Sequence, residues 1–374
     1  MRQTLEGKLV VLAVTGSIAA VETVKLAHEL RRRGATVQAV MSHAATGIIS
    51  PASLTYATGR DTIVDISGHV EHVWYSGDEG KADLLLIAPC TANTISKIAV
   101  GIDDTTVTTF ATTALGSGQP VVVVPAMHHS MFKHQAIVKN LETLIGFGID
   151  LVLPRIEEGK AKIASIEEIV LWVERALMRG SLCGKRVAIT SGACREPLDD
   201  VRVITTRSSG QMGRAFANEA FRLGAEVIVI HSSHFPAVRN VPVETAGEMY
   251  DAVLKVLDEG VDIYISAAAI SDYAPERFPG KIPSGTGQSI RLDPLPKVIE
   301  SALATPGVTT IGFKLGDDAA VAGRDLLKRG ASMVVANPPT VLGSERGSFL
   351  ILGDSLELEV GSKEEVAFEV CRRL

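Results

Sequence analysis

Four stretches of this 374-residue chain carry side chains whose types and spacing could do chemistry. The first is the turn Thr15-Gly16-Ser17, which follows the apolar run Lys8–Val14. Free N–H groups and the dipole at a helix start attract anions, so a glycine and a serine there suit a compact phosphate. The turn is not GxGxxG and fits a dinucleotide pyrophosphate less well. The second stretch is Asp83–Asp104, where the run Leu84–Ala88 breaks at Pro89 and is followed by Thr91, Ala92, Asn93 and Thr94. These residues offer donors and acceptors at a strand end, and Thr91 or Asn93 also reads as a plain helix cap. The third is a set of histidines. His69 and His72 flank Glu71, a spacing open to base chemistry or metal binding, with no third metal ligand evident. His128 and His129 follow the buried-looking run Gln119–Val124. The fourth lies in the second half: Ser208-Ser209-Gly210 opening a helix, then Asp272, Lys281 and Lys314 near strand ends. Serine and glycine at a helix start suit a phosphate. Asp272 could hold a magnesium ion or a ribose, or cap its loop.

The elements needed to position these residues are legible as alternation. Short apolar runs ended by Gly, Pro or hydroxyl residues read as buried parallel strands, and amphipathic segments between them read as helices. In the first half the strands are Lys8–Val14, Ala35–Met41, Leu84–Ala88, Gln119–Val124 and Leu151–Pro154, with helices over Ser17–Arg33 and Ile163–Met178. After the loop Gly180–Gly184 the pattern restarts with strand Lys185–Ser191, helix Gly210–Leu223 and strand Ala225–His231. Strands Val261–Ser266, Thr309–Phe313 and Ser332–Ala336, a hairpin around Gly353-Asp354-Ser355 and a closing helix Lys363–Arg373 complete it. The expectation is α/β: two Rossmann-like three-layer domains, residues 1–180 and 181–374.

A net charge of −6 without a basic run argues against nucleic-acid binding. No stretch reaches the roughly 18 apolar residues that a membrane span needs, and the N-terminus lacks a signal-peptide layout. Cys90, Cys183, Cys194 and Cys371 make no CxxC pair, as expected for reduced thiols in a cytoplasmic protein.

The first half resembles the flavin-dependent cysteine decarboxylases, above all the phosphopantothenoylcysteine decarboxylases. The motifs are TGSIAA, a His-Val pair, ADLLLIAPCTANTISKIAVGIDD and PAMHHSMF, in that order. The resemblance implies a flavodoxin-like domain holding FMN near Gly16, Ser17, Ser42, Thr91, Ala92, Asn93, Thr94 and Ala126. It also implies a catalytic histidine, assigned to His72 over His69. His128 stands where the family has asparagine. The lid segment Glu157–Lys162 is short and lacks the family cysteine, leaving Lys160, Lys162, Cys90 or water to deliver the last proton.

The second half resembles phosphopantothenate–cysteine ligase through TSGACREPLDDVRVITTRSSGQMG, SAAAISDYAPERFPGKI, GFK and KRGASMVVAN. The resemblance implies nucleotide contacts from Ala267, Ala268, Asp272, Lys281, Phe313, Arg329 and the run Pro296, Lys297, Val298 and Ile299. Lys281 would neutralise the transferring phosphate. Ser208, Ser209 and Gly210 would hold the substrate phosphate, and Thr206 stands where an asparagine contacts the acyl intermediate. Pro338 and Arg329 also depart from the family residues.

Together the halves resemble the bifunctional enzymes of coenzyme A synthesis, in an archaeal-like form. The resemblance implies ligation of 4′-phosphopantothenate to cysteine with CTP, or ATP, and Mg2+, then FMN-dependent decarboxylation. It implies trimers through the first half and dimers through the second, giving a closed assembly such as a dodecamer. Two alternatives stay open: a monofunctional ligase with a decayed first half, and a non-enzymatic flavin-binding regulator.

Overall fold

The computed structural model describes residues 2–157, 160–178, 180–285, 287, 289–341, 344 and 346–374, the backbone alone at 156, 157, 160, 161 and 341. The chain forms two units, Met1–Met178 and Arg179–Leu374. Among the described residues no helix is long and apolar enough to cross a membrane.

The first unit is built on a five-stranded parallel sheet of β1 (Leu9–Val14), β2 (Thr36–Met41), β3 (Leu84–Cys90), β4 (Val121–Pro125) and β5 (Asp150–Leu151). The strands run in the order β2-β1-β3-β4-β5. Their central residues are apolar on both faces because helices cover both. Leu26, Leu30, Ile169 and Val173 pack on one side, and Ile95, Phe110 and Leu141 on the other. The expected helix Ser17–Arg33 is two pieces, a 3-10 turn Ile18–Glu22 and an α-helix Thr23–Arg32. The break is fixed by Thr23, whose hydroxyl donates to Ala20 O at 2.6 Å. The expected strand Leu151–Pro154 is shorter, and Pro154 leads instead into a small hairpin of β6 (Arg155–Glu157) and β7 (Lys160–Lys162). Glu158 and Gly159 of the expected lid, and the Lys160 side chain, lie outside what is described.

The second unit carries an eight-stranded sheet. Its strands are β8 (Arg186–Ser191), β11 (Glu226–His231), β12 (Arg239–Pro242), β13 (Ile263–Ser266), β16 (Thr309–Leu315), β17 (Met333–Asn337), β18 (Arg346–Gly353) and β19 (Leu356–Ser362). Their order is β12-β11-β8-β13-β16-β17-β18-β19, parallel through β17 and antiparallel thereafter. Two ribbons stand outside this sheet: β9 (Arg195–Pro197) with β10 (Val203–Thr205), and β14 (Tyr273–Pro275) with β15 (Leu292–Pro294).

In each sheet the strand order reverses beside the first strand, between β1 and β3 and between β8 and β13. Such a reversal opens a crevice at the carboxyl ends of the strands, where helix N-termini converge and ligands bind.

Candidate functional sites

At the β1/β3 reversal, backbone and hydroxyl groups tie four strand ends into one crest. Ser42 N–H donates to Val14 O at 3.0 Å, and the Thr15 hydroxyl donates to Pro89 O at 2.7 Å. Thr91 N–H donates to the Thr15 hydroxyl at 3.0 Å, and Ala126 N–H to Cys90 O at 2.9 Å. Gly16 is required here: a Cβ would lie 2.6 Å from Ala44 Cβ, so only glycine lets the two turns meet. Ser17 caps the 3-10 turn through Ala19 N–H, and Thr91 caps helix Ala92–Val100 through Thr94 N–H. Ala92 and Thr94 are buried in that helix's first turn, while Asn93 is exposed.

Beside this crest lies a cavity of about 810 Å³. Ile18, Val21, Leu26, Met127, Ile163 and Ile169 make its apolar wall, and Ser17, His128, His129, Arg155 and Lys162 add polar groups. The structure therefore brings Ser17, Ala126 and His128 to the cavity and leaves Gly16, Ser42 and Thr91–Thr94 on the crest. His128 Nδ1 is 2.9 Å from Ser130 Oγ and accepts from Ser130 N–H, capping the short helix His129–Phe132. His129 Nδ1 is shut off from solvent without a partner among the described residues. Cys90 is fully buried in β3 and is not part of the cavity lining, and burial pushes its thiol far up.

His72 does not line that cavity. It sits half-buried on helix Glu71–Ser76, its Nδ1 shut off from solvent and unpartnered among the described residues. Val73 and Trp74 beside it are each 49% exposed, a high value for large apolar side chains. His69 is exposed in the preceding loop.

The second unit encloses a cavity of about 470 Å³ at the β8/β13 reversal. Thr206, Ser208, Ser209 and Gly210 enter from the loop before helix Gln211–Arg222. Gly210 has φ 72° and is the N-cap, with no side-chain cap over the helix start. Gly213 brings this helix onto β8, since a Cβ there would overlap the Ser191 side chain. Ala267, Ala268 and Asp272 come from the end of β13, Pro296 to Ile299 from the start of helix Val298–Ala304, and Phe313 from β16. Thus twelve of the site residues anticipated from sequence share one cavity.

Two anticipated residues lie elsewhere. Arg329 ends helix Ala319–Lys328 and pairs with Glu300, which keeps its guanidinium out of the cavity lining. Lys281 is exposed on the strap between β14 and β15. That strap is pinned on both sides of Lys281: Asp200 N–H donates to Gly280 O at 3.1 Å and Ile282 N–H to Asp199 Oδ2 at 3.0 Å. Burial works against the charge of Asp199, but N–H donors from Ile282, Val201 and Arg202 hold its carboxyl below the usual range.

The cavity also holds residues that sequence reasoning passed over: Arg207, Gln211, Asn337 and Lys363. Lys363 and Gln211 are 152 positions apart, yet Lys363 Nζ donates to Gln211 Oε1 at 3.0 Å. No local pattern announces such a pair. Lys314, singled out from sequence only as a strand-end cation, lines the same space.

Comparison with known proteins assigns both units. A flavoprotein family model matches residues 1–178, and the model for the DNA/pantothenate metabolism flavoprotein C-terminal domain matches residues 182–374. The coenzyme A biosynthesis bifunctional protein CoaBC of Thermococcus kodakarensis is 47% identical over 362 residues, spanning 93% of this chain and 90% of that protein. The protein of the same description from Methanocaldococcus jannaschii is 40% identical over 301 residues, spanning 79% and 73%. A crystal structure of the C-terminal domain of a CoaBC protein aligns at 31% identity and TM-score 0.44, over 51% of this chain and 94% of that one.

Proposed function

We propose that this chain, which belongs to the CoaBC family of bifunctional coenzyme A biosynthesis proteins, runs one reaction at each of its two ligand edges. The second unit joins 4′-phosphopantothenate to cysteine at the expense of CTP, or ATP. The first decarboxylates the resulting 4′-phosphopantothenoylcysteine to 4′-phosphopantetheine. The observation that carries the reading is the pair of cavities at the two strand-order reversals, lined by residues of the two resembled families.

FMN fits the first edge. The crest offers the glycine turn at Gly16, Ser17 and Ser42 for a phosphate, and the adjoining apolar cavity has the size of a cofactor site. Thr91, Ala92, Asn93, Thr94 and Ala126 would line the ring and its side chain. When bound, FMN would supply reversible two-electron chemistry: oxidation of the thiol-bearing carbon lets carbon dioxide leave from the carbon beside it, and the two electrons then return to the decarboxylated product. The protein binds, orients and moves protons. His72 acts as the base at the thiol. Its distance from the cavity within one chain suits an arrangement in which the exposed Val73–Trp74 face meets a second copy, as in a trimer. His128 and His129, with Lys162 of the lid hairpin, line the cavity and would meet the substrate carboxylate and deliver the last proton.

In the second cavity Asp272 and the run Pro296–Ile299 hold the nucleotide with Ala267, Ala268 and Phe313. Lys281 meets charge on the transferring phosphate with its ammonium. Thr206 faces the acyl group. Among the described residues no cluster of three or more His, Cys, Asp or Glu could hold a metal. Magnesium would therefore arrive with the nucleotide phosphates and borrow at most Asp272 from this cavity. Arg329, paired with Glu300, approaches the nucleotide only if that pair opens. Dimers through the second unit, with trimers through the first, would close a dodecamer.

The test is product analysis by mass spectrometry with phosphopantothenate, cysteine and either CTP or ATP, using protein reconstituted with FMN. Accumulation of 4′-phosphopantetheine supports both reactions. Arrest at phosphopantothenoylcysteine, in a protein that takes up no FMN, supports the ligase-only reading. Absence of either product with both nucleotides refutes the assignment.

A further inference from the structure

Lys363 opens helix Lys363–Cys371 at the far end of the chain, yet it forms part of the wall of the second cavity. Its ammonium is held 3.0 Å from the amide oxygen of Gln211, the first residue of helix Gln211–Arg222. Two helix starts meet there, because the helices Gln211–Arg222 and Lys363–Cys371 pack together. A helix start carries about half a positive charge, so a lysine beside two of them is electrostatically unfavourable in isolation. The local surroundings add to this. Arg207, Lys297, Lys314 and Lys363 all line the cavity, against one carboxylate among the described lining residues, Asp272. Asn337, whose Oδ1 is shut off from solvent and unpartnered among the described residues, lines the same cavity and awaits a donor. The Gln211 oxygen fixes where the Lys363 ammonium stands on the cavity wall.

We propose that Lys363, aimed by Gln211, is a phosphate ligand of the ligase cavity, pairing with a phosphoryl group seated at Ser208–Gly210. The inference rests on the ligase reading above and adds a residue to it. A phosphoryl group could come from two sources, the polyphosphate of the nucleotide or the phosphate ester of the acid substrate. The chemistry recognised is the same: a dianion that accepts from an ammonium, from serine hydroxyls and from the helix N–H groups.

Steady-state kinetics of Lys363→Met and Lys363→Arg separate the sources. Loss of one charge-assisted hydrogen bond to phosphate should raise one KM by about tenfold or more while kcat changes little. A rise in the nucleotide KM places its polyphosphate at Lys363, and a rise in the phosphopantothenate KM places the ester there. Lys363→Arg, which keeps the charge, should recover most of the loss. Gln211→Ala should weaken the same KM by a smaller factor. A ligation kcat close to that of the wild type, measured on the same preparations, shows that the second unit has folded. Unchanged KM values for both substrates in Lys363→Met overturn the inference. A wild-type protein that ligates with neither nucleotide overturns the ligase reading instead.

Discussion

The two units begin alike and end differently. In the first, Asp83 accepts from Leu9 N–H at 2.8 Å and from Lys8 Nζ at 2.8 Å. In the second, Asp262 accepts from Arg186 N–H at 2.8 Å and from Lys185 Nζ at 3.3 Å. Gly34 and Gly224, at φ 97° and 98°, turn the first helix of each unit into the second strand, packed against the backbone of Glu6 and Cys183. Thr36 N–H and Glu226 N–H then donate to Lys8 O and Lys185 O, both at 2.8 Å. This edge sets register and carries no ligand chemistry. At the opposite edge the likeness ends. The first unit passes from β1 straight into a tight turn, where Gly16 meets Ala44. The second inserts the ribbon β9/β10 between β8 and its helix, so its loop enters from further out and carries Thr206 to Gly210 into a charged cavity. A shared scaffold edge and divergent ligand edges are what one expects when function is grafted onto a common α/β frame.

If the ligand edges work independently, substitutions at one should spare the other. Lys281→Gln should lower ligation by orders of magnitude through lost stabilisation of phosphate charge, and leave decarboxylation intact. His72→Asn should do the reverse. Assaying each half-reaction with its own substrate checks both. A variant that disables both reactions breaks the comparison, and an inactive His69→Asn with an active His72→Asn moves the base to the earlier histidine.

A smaller effect should come from the glycines that permit close approach at each ligand edge, Gly16 between two turns and Gly213 between helix and strand. Gly16→Ala would press Ala44, and Gly213→Ala would overlap Ser191. Overpacking of this kind costs about 1–3 kcal/mol. Gly16→Ala should weaken FMN retention, and Gly213→Ala should raise substrate KM values in ligation, each with a lowered Tm. Equal loss of both functions in either variant would mean that the edges are not separable.

Most strands of the two main sheets were legible in sequence because an apolar run ends at Pro, Gly or a hydroxyl residue, and the ligand edges were legible where those breaks define them. The interruption at Ile18–Glu22 was not, since the Thr23 hydroxyl bond that fixes it leaves the apolar pattern of a continuous helix in place. The ribbons β9/β10 and β14/β15 are three residues per strand, too short to show a period of two. Motif resemblance brought twelve residues to the second cavity but placed Lys281 and Arg329 by analogy, and the fold leaves both outside its lining. Lys363 and Gln211 meet only through the packing of two helices.

The smallest expected effect tests the shared edge itself. The Arg186 N–H bond, followed by the Lys185 partner, holds the Asp262 carboxyl below its ordinary value, outweighing the opposing cost of desolvation. A carboxyl depressed on folding stabilises the folded state above its unfolded pKa of about 3.9, and the contribution fades as pH falls through the lower folded value. Asp262 is 40% exposed at its side chain, so solvent screening limits the effect. Asp262→Asn should therefore cost no more than about 1 kcal/mol near pH 7, the scale of one hydrogen bond. The difference from wild type should shrink as the pH is lowered below about 4, because protonation removes from the wild type what the substitution has already removed. Urea unfolding between pH 3 and 7 reads this directly, provided the transition of the second unit is resolved from that of the first. A difference that stays constant with pH would assign the effect to packing at the start of β13, and the common edge would then be a likeness of shape without a common electrostatic cause.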